Sequence, residues 1–311
     1  MNDSKSGSML KGVQCLIVLG YLTLTGCNNQ HQRSDIDRTD SGRINISVDE
    51  SFKPIIDSQI EVFEALYPKT KIVAHYMPEA ACLKDLITDS TRMLIVTRGL
   101  TEQEEKFYKD SLTFIPAYDK VANDAIALIV NNKSNDTVFS LSKIRGILDG
   151  SSGDKEIAVF DGLSQTSTVR YAIDSILKGK SLDPKKVYAA QSSPDVINYV
   201  STHPDAIGFI GVSWIGNRED TAQVSFLKKV KIAAVECSCP EHTFVKPYQA
   251  NIVYRRYPLV RGLYYILKEN YTGLGSGFIN FLSDQKGQLI FLRAYLAPTK
   301  INFGIRSATM N

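Results

Sequence analysis

The residues of this chain best suited to chemistry are hydroxyls and backbone amides gathered at three places where an extended stretch gives way to a helical one. The first is Asp49-Glu50-Ser51-Phe52, the second Thr97-Arg98-Gly99, and the third Ser164-Gln165-Thr166-Ser167-Thr168. The first turn of a helix carries unpaired N–H groups and the positive end of the helix dipole, so such turns suit a compact, oxygen-rich anion. Ser51 and Phe52 would face that anion from the first turn, Thr97 and Arg98 from the second, and Ser164, Thr166, Ser167 and Thr168 from the third. Arg98 would pair with it through two parallel N–H bonds. A carboxylate at Asp49, Glu50 or Asp124, if turned inward, would accept a protonated oxygen and so favour a protonated oxyanion over sulfate. Read as structure alone, Ser51 is a helix N-cap and Arg98 a surface residue beside a turn glycine.

Other chemistries find less support. His75, His203 and His242 are scattered, no Gly-x-Ser-x-Gly elbow is present, and neither Ser164 nor Ser167 has an assignable base. No catalytic residue is therefore expected. Cys237-Ser238-Cys239 followed by His242 is half a zinc site without its fourth ligand, so a cysteine-bearing loop, oxidised or not, is the expectation, with no metal and no cofactor. A formal net charge of +3 over 311 residues, with no block of like charge, argues against nucleic acid.

The elements that must position these turns alternate between strand and helix. Ile44 to Val48 alternates as a strand, the apolar positions Ile55, Ile56, Ile60, Phe63 and Leu66 recur at helical spacing after Ser51, and Lys71 to Tyr76 reads as a second strand. Cys82 to Asp89 reads as a short helix, Met93 to Val96 as a buried strand and Thr101 to Tyr108 as a helix. Ala125 to Val130 is a continuous apolar strand. Further on come helices at Leu141 to Leu148, Ser167 to Leu177 and Ser193 to Thr202, strands at Ile157 to Phe160 and Ala206 to Val212, and a closing helical segment from Phe278 to Leu292. Strand, helix, strand units favour parallel pairing and an α/β class. Trp214 is expected to pack rather than to stack on a ligand.

The chain begins with Lys5 and Lys11, an apolar run from Val13 to Leu24, and Leu24-Thr25-Gly26-Cys27. This reads as a bacterial lipoprotein signal over 1–26 with Cys27 as the acylated first residue, since the apolar run falls short of the ~20 residues that cross a bilayer. Residues 27–41 are polar and read as a flexible tether. The remaining length suggests two lobes: lobe 1 from 42–124 and 257–311, and lobe 2 from 125–256.

Ala125 to Asn131, Asp161-Gly162-Leu163-Ser164-Gln165-Thr166-Ser167-Thr168, Ile207-Gly208-Phe209-Ile210, Tyr257-Pro258-Leu259 and Phe278 to Ser283 occur in an order that resembles the substrate-binding proteins of phosphate ABC transporters. The resemblance covers the chain from about Arg43 onward. It implies a two-lobed periplasmic-binding-protein-like fold (type II), each lobe a mixed, mostly parallel sheet flanked by helices. It also implies a monomer that closes on phosphate and delivers it unchanged to a membrane permease, as a lipoprotein of the bacterial cell envelope facing the periplasm. Sulfate or molybdate binding, or a sensor or scaffold without transport, are the alternatives, with a phosphoester hydrolase behind them. The family has a serine and an acid where Thr97 and Arg98 stand, and an Arg where Phe160-Asp161 stands.

Overall fold

A computed structural model describes residues 37–88, 90–153, 155–162, 166–240 and 243–301. The expected leader, Cys27, Ser164 and His242 lie outside the described residues. The chain runs through β1 (Gly42–Asp49), α1 (Lys53–Leu66), β2 (Thr70–Met77), α2 (Glu79–Asp85), β3 (Thr91–Val96), α3 (Glu102–Leu112) and the long β4 (Ala117–Asn131). It continues with β5 (Val138–Phe139), α4 (Leu141–Asp149), β6 (Ile157–Phe160), α5 (Ser167–Tyr171), β7 (Val187–Ala189), α6 (Ser193–Thr202), β8 (Ala206–Gly211), α7 (Thr221–Lys229) and β9 (Val230–Ile232). It ends through β10 (Ala234–Glu236), β11 (Phe244–Val245), α8 (Gln249–Val253), β12 (Val260–Leu267), α9 (Leu274–Ser283), α10 (Gln285–Arg293) and β13 (Ala297–Pro298).

One sheet carries the site, in the order β2-β1-β3-β12-β4-β8-β6-β7, with β9 and β13 also pairing on β4. At one end β1 lies parallel to β2 and β3; at the other β6 lies parallel to β7 and β8. The middle is antiparallel, β12 against β3 and β4, and β4 against β8. β4 joins the two parallel sets because it exchanges partners along its length: Ala125 pairs with Val260 of β12, and the next residue, Ile126, pairs with Gly211 of β8. Both parallel sets therefore turn the ends of their strands toward that exchange point, where the connections to the helices gather.

The sequence pattern explains most of these elements. Pro54 stands at the start of α1, where its missing N–H costs nothing, and Ile55, Ile56 and Phe63 bury one face of that helix. Tyr67-Pro68 ends it, since Pro cannot continue a helical ladder. Thr101 caps α3 in a reciprocal arrangement with Glu104. A continuous apolar cluster runs from Ile46 and Phe63 through Ala125 and Ile126 to Phe160 and Phe209, so the two ends of the sheet share one core.

Four expectations are corrected. Asp49, not Ser51, caps the chain after β1: its side chain accepts the Ser51 N–H and opens a short 3-10 turn, Glu50–Phe52, ahead of α1. The helix expected at Cys82 to Asp89 begins earlier, at Glu79, and stops at Asp85. β4 starts at Ala117, ahead of its apolar run, because pairing with β12 holds Ala117 to Asp119 in extended form although their side chains are exposed. The closing helical segment is two helices, since Asp284 caps α10 by accepting the Lys286 and Gly287 amides at 2.7 and 3.1 Å. Trp214 is 8% exposed and packs in a core, as expected.

Candidate functional site

The strand ends converge on a guanidinium. Arg261, on β12, is 5% exposed, and such a charge must be met by partners or it would not be buried. Its Nε donates to Asp124 Oδ2 of β4 at 2.8 Å, Nη2 to Ser51 Oγ at 2.9 Å and Nη1 to Ser167 Oγ at 2.8 Å, with Thr168 Oγ1 at 3.5 Å. The guanidinium carbon also lies 5.3 Å from the centre of the Phe52 ring, whose π face favours a cation. Burial opposes the charge, but Asp124 and Asp49 outweigh that cost and hold the Arg261 pKa above its ordinary value.

Each partner is placed by local structure. The Ser51 amide and hydroxyl both donate to Asp49 Oδ1, at 2.9 and 2.7 Å, and the Ser51 carbonyl accepts the Ser213 hydroxyl at 2.9 Å. Thr166 caps α5 by accepting the Val169 amide at 3.3 Å, which sets Ser167 and Thr168 in the first helical turn. Ser51 and Ser167 then stand 3.4 Å apart, oxygen to oxygen, although one follows β1 and the other follows β6. Gly211, the last residue of β8, makes room for this contact: a Cβ there would lie 3.1 Å from Arg261 Nη2 and 3.1 Å from the Ser51 carbonyl.

The surrounding carboxylates are unusual. Asp49, Asp124 and Asp161 are each buried to 5% exposure or less, and in each case one oxygen, Asp49 Oδ2, Asp124 Oδ1 and Asp161 Oδ1, has no hydrogen-bond partner. Burial pushes the Asp49 carboxyl up to about 6, while Arg261 pulls the other way. Burial and the neighbouring Asp161 push Glu50 up to about 7. Asp124 and Asp161 are raised as well, again by burial against the pull of Arg261. One buried cation faces three buried acids, so the cluster carries spare acceptors and holds protons more readily than isolated carboxylates do.

Of the residues singled out in the sequence, Ser51, Phe52, Ser167 and Thr168 meet at Arg261, and Thr166 acts as the cap beside them. Thr97 lies next to this cluster, bonded to Glu79 and Arg170. Arg98 does not join it. Its Nη1 and Nη2 pair with Glu104 at 2.7 and 2.8 Å, and Nη1 also donates to the Gly99 carbonyl at 2.9 Å. The reason is local: Glu104 is already drawn back onto the N-terminus of α3 by the capping arrangement, within reach of Arg98. The hydrogen bond from Arg98, ahead of burial, holds the Glu104 carboxyl down to about 2.

Sequence reading missed Arg261, Glu79 and the reach of Arg170. The available signal for Arg261 was a lone charge inside an apolar stretch, Leu259-Val260-Arg261-Gly262-Leu263, which can be a strand only if the charge finds partners. Cys237 and Cys239 form a disulfide with Cα atoms 5.2 Å apart, and Cys82 is a buried free thiol. The oxidised-loop reading therefore replaces the half zinc site, and no group of His, Cys, Asp and Glu among the described residues could hold a metal. Among those residues, too, no helix is long and apolar enough to cross a membrane.

The profile of a PBP superfamily domain matches residues 34–285. Among curated proteins, none matches the chain. The fold resembles a putative phosphate ABC transporter substrate-binding protein with bound phosphate from Clostridium perfringens, at 19% identity and a TM-score of 0.66, covering 83% of this chain and 100% of that one. It also resembles an ABC-type phosphate transport receptor from Vibrio cholerae, at 18% identity and a TM-score of 0.61, covering 82% and 99%. A regulatory domain is similar too, that of Synechocystis PCC6803 CcmR in complex with 2-PG, at 13% identity and a TM-score of 0.52, covering 78% and 96%. These likenesses give the fold class: α/β, two-lobed, of the type II periplasmic-binding-protein kind, with a mixed sheet that is parallel at its two ends.

Proposed function

The chain belongs to the PBP superfamily, and from that premise we propose that it binds phosphate between its two lobes and hands it, chemically unchanged, to an ABC transporter permease. The observation that carries the reading is the meeting of Ser51, Ser167 and Thr168, from opposite ends of the sheet, on the buried Arg261. A small anion seated there would accept from the guanidinium and from hydroxyls that swing from Arg261 and Asp49 toward it. The unpartnered oxygens of Asp124 and Asp161 would in turn accept hydrogen bonds from protonated oxygens of the ligand. Phosphate keeps such protons near neutral pH, whereas sulfate offers only acceptors and would face those two acids with nothing to donate.

Lobe 1 comprises 42–124 and 257–311, lobe 2 comprises 125–256, and closure about the β4 partner exchange and the Arg255 to Leu259 segment desolvates the ligand. Ser164, two residues before Thr166 in the sequence, belongs to the proposed ligand set. Thr97 and Arg98 stand outside the ligand set, their polar groups committed to protein partners. The protein is not an enzyme in this reading: the hydroxyls of Ser51 and Ser167 are held by the Arg261 guanidinium as donors and acceptors for an anion. The chain works as a monomer, anchored to the membrane through lipid on Cys27, in the cell envelope facing the periplasm.

Calorimetry of the full chain with phosphate, sulfate and molybdate tests the proposal. Phosphate is expected to bind with sulfate at least tenfold weaker, a difference of about 1.4 kcal/mol. Equal or stronger binding of sulfate or molybdate would move the reading to another oxyanion. Absence of binding to all three would favour a sensor or scaffold, a reading to which the similar CcmR regulatory domain lends support. Release of phosphate from a phosphoester would make it an enzyme.

A further inference from the structure

Thr97 closes one of the three anion-facing turns of the sequence, yet both of its donors are spent within the protein. Its amide donates to Glu79 Oε1 at 2.9 Å, and its hydroxyl donates to the same oxygen. Arg170 completes the group: Nε donates to Glu79 Oε2 at 2.6 Å, and Nη2 donates to Thr97 Oγ1 at 2.7 Å and reaches Glu79 Oε1 at 3.5 Å. Glu79 is 2% exposed. Burial would raise its pKa, but Arg170 and Thr97 outweigh burial and hold the carboxyl below its ordinary value.

The three residues come from different parts of the sheet. Glu79 opens α2 just after β2 and Thr97 follows β3, both at the end of the sheet built on β1. Arg170 lies on α5, which follows β6 at the other end. The ion pair therefore spans the gap that lobe closure would open and shut. Any separation of α2 from α5 must break a bidentate contact to a buried carboxylate, whereas the Arg261 cluster can exchange its hydroxyl partners for a ligand.

We propose that Glu79 and Arg170, with Thr97 between them, form a built-in latch that draws the two lobes together whether or not an anion is bound. At this turn an internal ion pair supplies the bridging contact that the ligand would supply at Ser51 and Ser167. Glu79 and Arg170 are thus positioning residues, and closure costs the ligand less binding energy than it would without them. The consequence for affinity rests on the phosphate reading; the latch itself does not.

Glu79→Gln and Arg170→Met test it in the full chain. Without added anion, both variants are expected to show a larger radius of gyration by small-angle X-ray scattering and about tenfold faster hydrogen exchange at the Thr97 amide. Phosphate should dissociate about tenfold faster from both, and Arg170→Lys, which keeps the charge, should recover part of each effect. Scattering and exchange unchanged from the parent chain would overturn the latch. So would a loss of affinity with the anion-free shape unchanged, because the pair would then act on the site directly. Arg170 is 37% exposed at its side chain, so Arg170→Met carries the test if Glu79→Gln fails to fold. Variants that open in a protein that binds no phosphate at all would keep the latch and reject the phosphate reading.

Discussion

Arg261 and Arg98 show how two residues of one type divide between ligand chemistry and local structure. Arg98 stood out in the sequence because it follows a buried strand and precedes a glycine, but its charge is consumed six residues away by Glu104. Arg98→Ala is expected to leave phosphate affinity within a factor of two while destabilising the protein by about 1 kcal/mol, through a looser start of α3, as read by chemical denaturation. Arg261→Gln should abolish binding and cost about 3–5 kcal/mol, because three buried acids lose the cation that faces them. Asp49 supplies a pH handle. An anion beside it favours its protonated form, so binding takes up a proton and weakens as pH rises through about 6. Phosphate titrates in the same direction, so the diagnostic comparison is Asp49→Asn. That variant keeps an oxygen for Ser51, and its affinity should vary less with pH than that of the parent chain when both are titrated from pH 5 to 8.

At the scale of elements, the site depends on how β1, β6 and β8 end. The Thr166 cap fixes where α5 begins, and Gly162, two residues after β6, has φ +148°, a conformation L side chains rarely adopt. Thr166→Ala should lower stability by about 1 kcal/mol and weaken phosphate binding several-fold, since Ser167 and Thr168 lose the turn that orients them. Gly211→Ala is a sharper test of the packing. Its Cβ would press on the Ser51 carbonyl, a backbone atom that cannot rotate aside, and on Arg261 Nη2. A loss of about 1–3 kcal/mol in thermal unfolding, together with weaker phosphate binding, is expected. Most elements that read clearly in the sequence bury a regular apolar pattern: α1 through Ile55, Ile56 and Phe63, and β8 through Ala206 to Gly211. β12 is hard to read because Arg261 interrupts its pattern, and the partners of Arg261 come from the turn after β1, from β4 and from α5, 94 to 210 residues away in the chain.

For the whole molecule, ligand and pH act on the same buried cluster. Phosphate at one hundred times its dissociation constant should stabilise the fold by about 2.7 kcal/mol, seen as a rise in the thermal midpoint that sulfate does not match. In the absence of ligand the sign of the pH effect follows from the raised carboxyls. Asp49 moves from 3.8 to about 6 and Glu50 from 4.5 to about 7, so between about pH 4 and 7 the folded protein keeps protons that the unfolded chain has released. Their contribution should therefore decline as pH rises through that window, and Asp49→Asn should remove part of the decline in denaturation curves. The alternation of strands and helices, the hydroxyl-bearing turns after β1 and β6 and the α/β class are legible along the chain, because each is set by spacing within a few residues. Which cation faces those hydroxyls, and that Glu79 and Arg170 meet across the molecule, emerges only in the folded protein. Those pairings form between residues distant in the chain, where burial makes an unmatched charge costly and the folded sheet alone determines which partner is near enough to match it.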